Sequence, residues 1–166
     1  MIRPAGLGLL SGRMERCRRL LVVAGPGLFG GPVADDRRAG EILRELERYY
    51  EGFLLLAESG SAQLREAGLQ SWLEAAPEPS DDTRLSEFQL HRPQLCLLVG
   101  ARCASPLAAG AVAAAWRSST WIAELGAEPS ELAVLAKETH RGPALDLLED
   151  LWEHFLCGEL PGSRRD

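Results

Sequence analysis

The chain contains no asparagine, a single lysine (Lys137) and only three histidines (His91, His140 and His154). It has four cysteines, Cys17, Cys96, Cys103 and Cys157, and no CxxC pair. These scarcities exclude a good deal. Without paired cysteines or an H-E-x-x-H helix, neither a structural zinc site nor a metalloprotease centre is expected. His154 and Cys157 lie three apart on one helix, which does not complete a metal shell, so no metal and no cofactor are expected. No G-x-S-x-G is present to mark a serine nucleophile. No apolar run approaches the roughly eighteen residues that span a bilayer. With reduced thiols as the default in a chain of this size, an intracellular and cytoplasmic protein is expected.

What is present is ordinary for a folded domain: 166 residues, 46% hydrophobic and 25% charged. The length suits one domain with a core that needs no staples. The net charge of −6 argues against nucleic acid as a partner for the surface at large. Charge is nevertheless segregated. Residues 1–34 hold five arginines and one acid, a net of +4, which leaves −10 for the rest. The Arg-rich start also leaves an organellar presequence open. Residues 1–18, with several glycines and no periodicity, read as a flexible leader.

The longest amphipathic run is Gly40–Glu58, GEILRELERYYEGFLLLAE. At 3.6 residues per turn, Ile42, Leu46, Tyr49, Phe53 and Leu56 share a stripe, and charged residues take the other side. The spacing predicts a central helix, followed by a second from Ser61 to about Ala76. Pro77–Thr83, PEPSDDT, reads as a linker between two halves of one domain spanning 19–158. Prolines at the first helical position predict further helices from Ser105–Pro106 to about Leu125, from Pro129 to Thr139, and from Pro143 to Gly158. Residues 159–166 read as a disordered tail.

Two short apolar runs are ambiguous. Arg19–Ala24 favours a strand through Val22 and Val23. Leu95–Val99 fits either a buried strand or a helix begun at Pro93 and continued through Cys103, and the helix is preferred. The expected fold is therefore mainly α, a compact bundle of five to six helices with room for one or two short strands. Pairing of 20–24 with 95–99 would make it a small α/β fold instead.

Two function classes follow. The first is a noncatalytic interaction protein, an adaptor or small subunit of an intracellular complex, whose partner is another protein. Its candidate contact residues are Tyr49, Tyr50, Phe53, Trp116, Trp121 and Trp152, since aromatic residues anchor interfaces. The alternative is a small nucleotide- or phosphate-binding enzyme. Gly25-Pro26-Gly27-Leu28-Phe29-Gly30 matches G-x-G-x-x-G after a possible strand, and Gly25, Gly27 and Gly30 would let the backbone approach a phosphate. Against it, Pro26 and Pro32 remove N–H donors, and no second strand with an acid is legible about twenty residues on.

Overall fold

The computed structural model describes residues 6–75 and 92–159. The expected linker at 77–83, the segment Leu85–Leu90 and the tail from 160 lie outside the described residues. Six strands form one all-parallel sheet in the order β3-β2-β1-β4-β5-β6. They are β1 (Arg19–Ala24), β2 (Gly52–Ala57), β3 (Trp72–Glu74), β4 (Leu95–Val99), β5 (Trp121–Leu125) and β6 (Glu138–His140). Among the described residues five helices flank it: α1 (Gly6–Arg16), α2 (Val33–Tyr49), α3 (Ser61–Ala67), α4 (Pro106–Arg117) and α5 (Ala144–Glu159). The helical-bundle expectation is thus corrected to an α/β fold.

The error lies in the strands. Parallel strands covered on both faces are continuously apolar and lose the alternation that marks a half-buried strand. RLLVVA, GFLLLA and LCLLV are such runs. The predicted helix at 40–58 is two elements. α2 stops at Tyr49, and Tyr50 turns extended at φ −93°, ψ 134° while its N–H still reaches the Leu46 carbonyl. The Tyr50 hydroxyl donates to the Met14 carbonyl at 2.7 Å, fixing the turn against α1. Gly52 then starts β2 beside Arg19, whose side chain lies where a Cβ would stand. In the same way, the predicted helix at 61–76 divides into α3 and β3, and that at 105–125 into α4 and β5. The helix expected over 129–139 is a 3-10 turn at Ala133–Leu135 followed by β6. α4 starts where predicted: Pro106 is in its first turn, and Ser105 caps it by accepting the Ala108 N–H at 3.2 Å.

Alternate strand residues feed two cores. Leu20, Val22, Leu55, Leu97 and Leu125 face α1, α2 and α5; Leu21, Val23, Leu56, Leu98 and Ile122 face α4. The segment read as a leader contains α1, whose Leu7, Leu10 and Met14 are fully buried in the first of these cores. Among the described residues no helix is long and apolar enough to cross a membrane.

Candidate functional site

In an open parallel sheet the chain leaves neighbouring strands in opposite directions at one point, and the loops there part to open a crevice at the carboxyl edge. The order 3-2-1-4-5-6 puts that point between β1 and β4. The loops after them, Gly25–Pro32 and Gly100–Ser105, form its floor.

The floor is tightly built. A Cβ on Gly25 would lie 2.5 Å from the Gly100 carbonyl oxygen, 2.6 Å from Glu58 Oε1 and 2.7 Å from the Ala101 Cα. One on Gly27 would lie 2.8 Å from the Gly100 Cα. These glycines admit backbone closely, as their motif suggested, but the backbone admitted is the protein's own. Gly30 is different. It has open space around it and a φ of +103° that favours glycine.

Every N–H in the glycine loop is engaged internally. Gly25 donates to Val99, Gly27 to Gly100, and Leu28 and Phe29 to Gly25. Gly30 and Gly31 donate to the carboxylate of Asp36 in the first turn of α2, at 3.2 to 3.4 Å. Asp36 also accepts from Gln63 Nε2 at 3.2 Å and is nearly fully buried. The β4 loop is arranged alike. With Gly100 at φ +61° and Cys103 at φ +58°, the Arg102 and Cys103 N–H groups converge, and both donate to Glu58 at 2.7 Å. Left-handed residues in such a loop create a concave nest for an anion. Further along the edge, the buried Glu124 accepts from Ser130 Oγ at 2.5 Å and pairs with Arg141 at 2.8 Å. That pairing ties the β5 and β6 loops together.

Above this floor lie two clefts of about 290 and 360 Å³ that share Pro26 and Arg102. The first runs over Gly27 and Gly100 to Ala127–Pro129 and to Ala144 at the start of α5; the second reaches Glu58, Ala75 and Ser105 at the start of α4. Two helix N-termini therefore face the crevice with their positive ends. Arg102 is exposed, and its guanidinium has no ion pair among the described residues. A larger cavity of about 460 Å³ lies beside the crevice, between α2 and α3, with Asp36 in its wall.

Several solved structures are similar in shape over most of the chain. One, described as the structural basis for the mechanism and regulation of Sir2 enzymes, superposes with a TM-score of 0.74 at 12% identity, over 92% of this chain and 98% of that one. A Sir2 homologue–NAD complex gives 0.72 at 12% identity, over 89% and 93%. A mutant Sir2 homologue in complex with ADP-ribose gives 0.70 at 14% identity, over 89% and 96%. The fold is the Rossmann-like fold of Sir2 proteins. No family model and no curated protein matches the sequence.

This fold overturns the adaptor expectation. Tyr50 and Phe53 are buried, and Tyr49 sets its ring edge-on against Phe155 at 4.8 Å. Trp152 stacks on the same Phe155 at 5.7 Å. Tyr50 and Phe53 fill the core and Trp152 packs against it, while Tyr49 keeps 42% of its surface exposed. Trp121 is half-buried at the start of β5 under the Arg13 guanidinium, 3.4 Å from its ring centroid. Only Trp116 is exposed by more than half, and it stands apart on α4.

Sequence reading missed Arg102, Asp36 and Glu58. Glu58 follows the last residue of β2, where Rossmann-type sheets place ligand-facing groups, but with β2 read as helix that signal is lost. Among the described residues no group of three or more metal-binding side chains gathers. Nor is a reactive thiol present at the crevice: burial first, then the Glu58 carboxylate, push Cys103 from 9.0 up to about 12. Burial likewise raises Cys17 to about 11. Because these thiols hold their protons more tightly folded than unfolded, their contribution is complete below pH 9 and declines from there toward pH 12. Urea titrations should show stability falling with pH across that window, and a C17A/C103A double variant should show a smaller fall.

Proposed function

We propose that the protein binds a nucleotide in the crevice at the carboxyl edge of β1 and β4. The nucleoside occupies the cleft between Gly27 and Ala144, and phosphate lies against Arg102. The observation that carries this reading is the meeting of two contiguous clefts at Arg102, directly over the switch point of the sheet. A guanidinium with no ion pair among the described residues offers the planar fork that phosphate accepts, and the N-termini of α4 and α5 add positive potential from either side. The Sir2 structures in complex with NAD and with ADP-ribose superpose on 89% of this chain, which supports a ligand of this class.

The fit is specific in what it supplies. Volume, apolar walls and one cation suit a nucleoside with phosphate. The backbone donors that would cradle a longer phosphate chain are already held by Asp36 and Glu58.

Calorimetric titration with adenosine monophosphate and ADP-ribose tests the reading. At least one should bind, and Arg102→Ala should weaken that binding by about tenfold, the loss expected for one charge-assisted contact of about 1.4 kcal/mol. Absence of binding by both, or an Arg102→Ala protein that binds as well as wild type, overturns it.

A further inference from the structure

Glu58 holds a place that the nucleotide reading leaves unexplained. It is half-buried at the centre of the crevice, immediately after β2. Its two carboxylate oxygens receive the adjacent N–H groups of Arg102 and Cys103, each at 2.7 Å. Oε1 also rests against Gly25, in the space that the absent side chain leaves free. A carboxylate taking paired N–H groups from a nest of left-handed residues does what a phosphate does in such a nest. The group that would compete with a ligand is therefore built into the chain.

Charge sharpens the point. The same carboxylate lines the 360 Å³ cleft together with Arg102. A first phosphate can pair with the guanidinium. A second, entering the nest behind it, meets occupied donors and a fixed negative charge. On the glycine-loop side the equivalent donors, Gly30 and Gly31, are held by Asp36. Both routes for a second phosphate are closed by the protein's own acids.

We infer that Glu58 stands in for one phosphate of a diphosphate ligand, and that the crevice takes a nucleoside monophosphate in preference to one carrying a diphosphate. Glu58 is then a specificity-determining residue. The inference rests on the nucleotide reading and narrows it.

The test uses the full chain, titrated with adenosine monophosphate and with ADP-ribose, as wild type and as Glu58→Gln. Glutamine keeps an oxygen to accept the N–H groups and removes the charge. Wild type should bind the monophosphate at least as tightly as ADP-ribose, and Glu58→Gln should shift the ratio of the two affinities toward ADP-ribose by about tenfold. A wild-type preference for ADP-ribose overturns the inference without reference to any variant, which covers the case of a variant that fails to fold. A folded Glu58→Gln protein with an unchanged ratio also overturns it, and in both cases the nucleotide reading stands. Failure of wild type and variant to bind either ligand removes that reading and the inference together.

Discussion

Gly25→Ala is expected to lower the melting temperature by about 6–12 °C and to abolish nucleotide binding. Its Cβ would stand 2.5 Å from the Gly100 carbonyl oxygen and 2.7 Å from the Ala101 Cα, and neither is the end of a flexible side chain. The β1 and β4 loops would have to separate, while their strands stay paired from Leu20 with Leu95 through Ala24 with Val99. Overpacking of this kind costs about 3 kcal/mol when backbone must move, and in a chain of this length each kcal/mol shifts melting by about 2–4 °C. Gly31→Ala is the matched control. A Cβ there meets nothing within 4 Å, so its stability should stay within about 0.5 kcal/mol of wild type. Thermal melts of the two variants side by side decide the matter, and equal melting temperatures would show that the contact between the loops does not constrain the fold.

Phe155→Ala should be the most costly truncation in the larger core, by about 3–5 kcal/mol. The ring has no solvent exposure, and three other aromatic rings lie around it: Tyr49 edge-on, Tyr50 and Trp152 stacked. Removing it leaves a cavity that these stiff rings cannot close by rotating, and their mutual geometry is lost as well. Urea denaturation measures the effect directly. A loss below about 1 kcal/mol would mean that the cluster repacks, contrary to the close fit seen here.

How much of this was legible in the sequence varies by element. Val22 and Val23 mark β1 through their branching, and Ser105–Pro106 marks the start of α4 through cap chemistry. Both signals are local. β2 carries none, because GFLLLA follows a strongly amphipathic helix with no polar break except Glu51, and its leucines extend the helical stripe as readily as they make a strand. Reading it as helix hid the sheet, since β2, β1 and β4 are hydrogen-bonded neighbours. Pairing of 20–24 with 95–99, which the structure has, puts the glycine loop after a real strand. The sequence favours a helix at 95–99 only because Ala101–Cys103 could continue it, and the second strand expected after the glycine loop is hidden in the same way as β2. The site was less legible still. Glu58 meets Arg102 across 44 residues of chain, and no spacing rule connects them. The aromatic residues carry no such distinction: composition cannot tell a ring that anchors an interface from one that fills a core, and Tyr50 and Phe53 fill one.

The packing of α1 against α5 carries a consequence for how the chain reaches its structure. Leu7, Leu10 and Met14 share a core with Leu148, Leu151 and Phe155, so elements from opposite ends of the described chain close the same face of the sheet. During synthesis β1, β2 and α2 leave the ribosome well before α5 exists to cover them. Until then that face presents leucine and valine to water on strands with unpaired edges, the condition under which nascent chains associate wrongly. The last helix acts as a timing element: the fold becomes safe from aggregation only when Phe155 arrives against Tyr49 and Tyr50.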